Sequence, residues 1–211
     1  MPEALLHAAS ARRWLSRIGC VILAGGEGRR FGGHAAKLVA PVGAKPLVAH
    51  AIDAVCASRA LTCTLVLGCG HELVLCAVDS RRCCVVFNPG WREGIASSLR
   101  AGLAHHLSDD ACIFVVADQP HVTTGDIDNL IAAAALAPDN IATLHAGGVW
   151  GSPMLFPRAD FAELMKLTGD AGAKSHALGQ QQRITLVEAQ HSDAFLDIDT
   201  REDAARLSGG S

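Results

Sequence analysis

At 211 residues with a formal charge of −3 and a pI near 6.3, the chain is long enough for one α/β domain with a full core. It carries no basic excess that would draw it to nucleic acid or anionic lipid, and no apolar run long enough to span a membrane. Half of the residues are hydrophobic, but only 4% are aromatic and none is Tyr, so the core must come from Ala, Val, Leu and Ile, which suits helices packed on a parallel sheet.

Residues 1–17 carry Arg12, Arg13 and Arg17 beside Trp14 without the continuous apolar stretch of a signal peptide. They read as a short helical N-terminal extension of a cytoplasmic protein. From there β-rich runs alternate with helical spacing. Strands are predicted at 18–23, 62–67, 83–87, 111–116 and 141–144, and helices at 46–58, 95–107 and 124–136. Further on, 147–153 reads as a turn-rich connection into the apolar residues 154–156. A helix over 158–167, another opening in 169–174, a strand at 184–188 and a last helix capped by Thr200 and running to 207 complete the chain. The order predicts a single domain, 18–208, with a mainly parallel Rossmann-like sheet and helices on both faces. Ligands of such sheets sit beyond the carboxyl ends of the strands.

The first such end is the most informative stretch: Val21-Ile22-Leu23-Ala24-Gly25-Gly26-Glu27-Gly28-Arg29-Arg30-Phe31-Gly32-Gly33, followed by Lys37. Gly25, Gly26 and Gly28 let backbone N–H groups approach an anion, and Arg29, Arg30 and Lys37 can neutralise it. The stretch points to nucleotide phosphates. It is not a P-loop, since no Gly-Lys-Ser/Thr closes it, and it is a poor dinucleotide fingerprint, since no acidic residue lies in 39–48 to meet a ribose.

Asp118 follows the hydrophobic run 112–117, and Asp199 ends the segment 195–199, with Asp193 and Asp197 as rivals. Two carboxylates at a sheet's carboxyl edge, completed by phosphates and water, suit Mg²⁺, which prefers oxygen ligands. The scattered histidines, His105-His106 among them on a presumed helix, read as ordinary core or surface residues. Ser97 and Ser98 stand at a helix start, where serines cap more often than they attack. The eight cysteines show no zinc-knuckle or redox spacing. Several lie in apolar runs, so they read as buried small hydrophobes of a reducing compartment, dispensable for chemistry.

With these motifs in order, the chain resembles the nucleotidyltransferases of the molybdenum cofactor family. The resemblance runs over roughly 18–207 and is carried by residues 23–33 with Lys37, by Asn88-Pro89-Gly90 through Gly94-Ile95-Ala96-Ser97-Ser98-Leu99, and by Ala117-Asp118-Gln119-Pro120. Gly151-Ser152-Pro153 through Phe156 and Asp197-Ile198-Asp199-Thr200 continue it, and Gly169-Asp170-Ala171-Gly172-Ala173-Lys174 looks like a sixth stretch. It implies a nucleotide-diphospho-sugar transferase fold and Mg²⁺-dependent nucleotidyl transfer. In that family pattern Leu23, Ala24 and Gly25 meet base and ribose through backbone, and Gly26, Gly28, Arg30 and Lys37 hold phosphates. Ser98 lies in the nucleotide pocket, and Asp118 and Asp199 bind the metal. Arg30, Lys37 and Asp118 are then the catalytic candidates. Two departures stand out: the spacer His34-Ala35-Ala36 is slightly long, and the Leu-Ala-Gly-Gly form of the first motif looks like the guanylyltransferase branch while the later motifs look like the cytidylyltransferase branch.

The expected reaction transfers CMP from CTP to molybdopterin with release of pyrophosphate, followed by transient contact with a recipient molybdoenzyme or its chaperone. GTP as donor, a sugar or polyol phosphate as acceptor, or a nucleotide-fold protein that only delivers cofactor remain as alternatives.

Overall fold

The structure is a computed structural model that describes residues 17–26 and 34–208. The expected N-terminal extension, apart from Arg17, lies outside the described residues, as do Gly28, Arg29 and Arg30 of the glycine-rich stretch.

Strand β1 (Ile18–Ala24) is buried along its whole length, as an uncharged run in the middle of a parallel sheet must be. It pairs in parallel with β4 (Thr62–Leu67) on one side and β6 (Ala111–Val116) on the other, and β5 (Cys84–Phe87) adds in parallel outside β4. With β7 (Ile141–Ala146), β8 (Val149–Pro157) and β9 (Ile184–Glu188), the sheet runs β5-β4-β1-β6-β8-β7-β9. It is mainly parallel, as expected, with one reversal: β8 is antiparallel to both β6 and β7. The cause is local. Gly147 and Gly148 take φ of 57° and 82°, which side chains resist, and close a two-residue hairpin that sends the chain straight back. The stretch 147–153 is therefore a tight turn followed by the first half of a strand, not an open connection.

Because strand side chains alternate, β1 divides the core. Ile18, Cys20, Ile22 and Ala24 face α2 (Leu47–Cys56) and α5 (Thr124–Leu136), while Val21 and Leu23 face α4 (Ile95–Leu103), α6 (Phe161–Leu164) and α7 (Ala173–Leu178). Each fully buried Leu, Ile or Val contributes about 1.5–3 kcal/mol, so both layers are needed. Helix α5 occupies the expected residues and begins with a reciprocal cap between Thr123 and Asp126. The final helix α8 (Arg201–Ser208) starts the same way, with Thr200 and Asp203 exchanging hydrogen bonds.

Two predicted helices are corrected. The helix predicted over 95–107 ends at Leu103, because the chain leaves it to bury His106. That ring bonds Asp109 through Nδ1 at 2.8 Å and Thr64 of β4 through Nε2 at 2.9 Å, and Gly19 lacks the Cβ that would collide with it. The helix predicted over 158–167 is a 3-10 turn at Arg158–Asp160 followed by the short α6. Short elements at α1 (His34–Val39), α3 (His71–Ala77) and the hairpin of β2 (Pro41–Val42) with β3 (Lys45–Pro46) carried too little periodicity to be predicted.

Candidate active site

The carboxyl ends of β1 and β6 lie side by side at the centre of the sheet, and the charged residues gather there. Lys37, in α1, is only 5% exposed, and its Nζ donates to Asp118 Oδ2 at 2.8 Å and to Asp199 Oδ1 at 3.0 Å. Asp118 stands just past β6. Asp199 reaches the same point without a strand to carry it: residues 195–199 are irregular, and the Ile198 N–H donates to the Asp118 carbonyl at 3.1 Å, which ties that segment to the end of β6. Burial alone would lower the Lys37 ammonium's pKa, but the charges and hydrogen bonds of the two aspartates outweigh it and raise it above the ordinary lysine value.

Leu23, Ala24 and Gly25 finish β1 in the buried interior, and the Leu23 carbonyl is taken by the Ala117 N–H, so it belongs to the sheet. A Cβ at Gly25 would lie 2.6 Å from Ser98 Oγ, so a side chain there would have to displace that hydroxyl from its bond with Asn88. Ser98 is buried in α4 and accepts from Asn88 Nδ2 at 3.0 Å; the same amide donates to Ser97 Oγ at 2.8 Å. Ser97 in turn donates to the Gly90 and Gly94 carbonyls, so neither serine caps the helix, whose N-cap is Gly94. Gly26 is exposed at the edge of the described residues.

Next to the lysine and aspartates opens a cavity of about 290 Å³ lined by Leu23, Phe114, Asp118, Gln119, Met154 and Lys174, among others. Lys174 sits at 4.7 Å over the Trp150 ring and donates to the Trp150 carbonyl at 2.6 Å, which holds a cation against an aromatic face. Gln119 Nε2 donates to Asp197 Oδ1 at 2.9 Å, while Gln119 Oε1 is buried without a partner among the described residues. Burial first, and then the charge of Asp118, push the Asp197 carboxyl above the ordinary aspartate value. A carboxyl raised in this way gains stability as pH falls through its folded value, so at neutral pH its charge is a burden. Asp197→Asn keeps an acceptor for Gln119 and removes that charge. It is expected to raise the thermal midpoint at pH 7, by about 2–4 °C per kcal/mol relieved, and to make little difference once the medium is acidic enough to protonate Asp197; melting curves at both pH values check this.

The far wall of the cavity is tied to α4. Gly94, at φ 101°, packs so tightly on the Gly169 carbonyl that a Cβ would collide with it, and the Ala96 N–H donates to that same carbonyl at 3.1 Å.

The structure thus joins Lys37, Asp118 and Asp199, sets Leu23 to Gly25 with Ser98 behind them, and leaves Gly28 and Arg30 outside the described residues. Sequence reasoning quoted Asn88, Gln119 and Lys174 in motifs without giving them a task, and Trp150 carried no signal. The cysteines are not uniformly buried hydrophobes. Cys20 and Cys112 are, but Cys76 and Cys84 are exposed, and Cys56, Cys63 and Cys83 are half-buried near one another. Hydrogen bonding with Cys63 pulls the Cys83 thiol down to about 7, against the burial that opposes it.

A mainly parallel α/β sheet with its buried cation and carboxylates gathered past the central strands defines a nucleotidyltransferase. Residues 20–184 match the MobA-like NTP transferase domain, and the chain belongs to that family. It is 27% identical over 194 residues to the purine catabolism protein PucB of Bacillus subtilis, covering 87% of this chain and 92% of that protein. Among solved structures, the homologue of Mycobacterium tuberculosis Rv0371c from Mycobacterium sp. strain JC1 superposes with a TM-score of 0.77 at 24% identity, covering 91% of this chain and 95% of its own. Rv0371c of Mycobacterium tuberculosis H37Rv in complex with manganese gives 0.73 at 23% identity, over 93% and 100%. Among the described residues no helix is long and apolar enough to cross a membrane.

Proposed function

We propose that this chain transfers CMP from CTP to the terminal phosphate of molybdopterin, releasing pyrophosphate. The observation that carries the reading is the Lys37 ammonium set between Asp118 and Asp199, beside a cavity with its own lysine. Nucleotidyl transfer to a phosphate monoester needs no enzyme nucleophile, because the acceptor is already anionic. An oxygen of that phosphate attacks the α-phosphorus of CTP, a phosphoanhydride bond forms, the bond to the β-phosphate breaks, and pyrophosphate leaves with its electron pair. The protein's task is to hold two anions in line against their repulsion, which calls for fixed positive charge.

Two carboxylate oxygens within 3.0 Å of one nitrogen form a hard oxygen donor set of the kind Mg²⁺ or Mn²⁺ accepts, so Asp118 and Asp199 fit the divalent ion that the resemblance implies. When bound, that ion neutralises triphosphate charge. Lys37 supplies a permanent charge at the same point, and the family motif implies that Gly26, Gly28 and Arg30 hold the phosphates. Leu23, Ala24, Gly25 and Ser98 form the nucleotide wall, to which Asn88 adds rigidity by holding Ser98. Lys174, steadied on Trp150 in the cavity wall, is the cation we assign to the acceptor's phosphate. A ligand N–H reaching Gln119 Oε1 would remove a buried unpaired acceptor worth about 1–3 kcal/mol, and a pterin offers such donors.

CTP is favoured as donor by the motif stretches 88–99 and 117–120; the second reading, GTP, rests on Gly26, which gives the first motif its Leu-Ala-Gly-Gly form. The name of PucB ties that relative to purine catabolism. Pyrophosphate release with molybdopterin and equal CTP and GTP is the test. A base-edge hydrogen bond left unpaired with the wrong nucleotide costs about 1–3 kcal/mol, so CTP should win by about tenfold to a hundredfold. A tenfold win by GTP moves the chain to guanylyl transfer. Reaction of neither with molybdopterin, but of one with a sugar or polyol phosphate, replaces the acceptor. Nucleotide binding without pyrophosphate release under any acceptor points to cofactor delivery.

A further inference from the structure

Far from the nucleotide end, three thiols from separate elements converge on one point. Cys56 is the last residue of α2, Cys63 the second of β4, and Cys83 directly precedes β5, so the cluster lies toward the amino ends of these parallel strands, whereas Lys37 and its aspartates lie beyond the carboxyl ends. Cys63 Sγ is 3.0 Å from Cys83 Sγ, Cys56 Sγ is 3.8 Å from Cys83 Sγ, and all three sulfurs lie within 4.8 Å of one another. Cys20, opposite Cys63 in the β1–β4 register, stands behind them in the same core layer.

We propose that Cys56, Cys63 and Cys83 form a second site, a three-thiolate seat for one thiophilic d¹⁰ cation, Zn²⁺ or Cu⁺, separate from the nucleotidyl-transfer site.

The chemistry is that of soft ligands. Thiolates select Zn²⁺ and Cu⁺ over the hard ions that carboxylates hold, so two metal sites of opposite preference can coexist in one chain. Around a cation about 2.3 Å from each sulfur, neighbouring sulfurs stand about 3.8–4.0 Å apart. The Cys56–Cys83 pair is already at that spacing, and the Cys63–Cys83 pair must open by about 0.8–1.0 Å, a side-chain adjustment for half-buried residues. The carbonyl end of α2, where Cys56 sits, carries the negative end of the helix dipole and favours a cation. Arg82, next to Cys83 and paired with Asp53 at 2.6 Å, is on hand to balance the surplus negative charge of three thiolates around a mono- or divalent ion. Binding changes no oxidation state: each thiol that ligates releases its proton to solvent, and the sulfur lone pair goes to the metal. A disulfide would use only two of the three sulfurs, and would need an oxidant.

The full chain, stripped with a chelator and kept reduced with a phosphine, is titrated with Zn²⁺ and separately with Cu⁺ against a competing chromophoric ligand. One equivalent per chain is expected, with thiolate-to-metal charge-transfer absorption for Cu⁺. The triple variant Cys56→Ser, Cys63→Ser, Cys83→Ser should bind at least a hundredfold more weakly, while Cys69→Ser, Cys76→Ser, Cys84→Ser should bind like the parent. Should the first triple variant fail to fold, Cys83→Ser alone is expected to lose at least tenfold in affinity. Whichever ion binds more tightly identifies the occupant. Equal losses in both triple variants, no binding above that of the first triple variant, or a stoichiometric Cys63–Cys83 disulfide that survives the phosphine in metal-free protein would each overturn the site.

Discussion

Asp118→Asn is expected to lower pyrophosphate release by about 10²–10³-fold while the thermal midpoint moves by only a few degrees. The substitution keeps the side chain's shape and an oxygen for Lys37 to donate to, at 2.8 Å in the parent, but removes a full negative charge from the edge of β6. If the aspartate serves the triphosphate by holding a divalent ion, that charge is what the reaction lacks in the variant. The loss should therefore be steepest at limiting Mg²⁺ and only partly recovered when Mg²⁺ is raised. The measurement pairs turnover across a Mg²⁺ series with a melting curve on the same preparation. Near-parental turnover at limiting Mg²⁺ would remove Asp118 from the metal.

Lys37→Met should be the most damaging single change to the site, because it acts on stability and turnover together. It leaves two carboxylates facing each other with their shared cation gone. Breaking a buried pair costs about 3–5 kcal/mol, but the Asp118 and Asp199 side chains are 24% and 38% exposed. Solvent screening brings the expected loss nearer about 2 kcal/mol, or about 4–8 °C in the thermal midpoint. Millimolar Mg²⁺ or Mn²⁺ should restore more of the variant's midpoint than it adds to the parent's, since a bound cation relieves the same repulsion. The pH dependence has a definite sign. A lysine whose pKa is raised on folding contributes fully below the unfolded value, about 10.4, and loses that contribution only as pH climbs through the higher folded value. The gap between parent and variant should then hold constant from neutral pH to about 10 and close above it. Equal midpoints in chelator at pH 7 would show that the clamp carries no stability.

What could be read from the sequence, and what could not, follows from the range over which each signal acts. Strand β1 and helix α5 were legible because their signals are local: an uncharged run for one, helical apolar spacing for the other. Asp118 was legible as a residue past a buried strand. Asp199 was proposed beside it as a second carboxylate, but spacing could not separate it from Asp193 and Asp197, because a backbone bond from Ile198 is what ties that irregular segment to the end of β6. The early end of α4 depends on His106 finding Thr64 and Asp109, partners that periodicity does not reveal. The reversal of β8 was in principle readable from Gly147-Gly148, yet a double glycine fits an open connection equally well until the strand beyond it is known. The cysteine cluster was hidden for the same reason as the aspartate pair. Its members sit at a helix end, a strand start and a loop, so no short spacing announces them.

The Gly94–Gly169 contact bears on how substrate preference in this chain can change. One end of that contact opens the helix that carries Ser98; the other begins the loop that leads to Lys174 in the cavity wall. A Cβ at Gly94 would collide with the Gly169 carbonyl, and the Ala96 N–H donates to that same carbonyl, so the helix start and the loop are held together. Under the proposed function, the donor and acceptor pockets therefore share a wall mechanically. On that reading, remodelling the 169–174 loop to admit a different acceptor is expected to shift α4 and nucleotide affinity with it, so that donor and acceptor selectivity change as a pair.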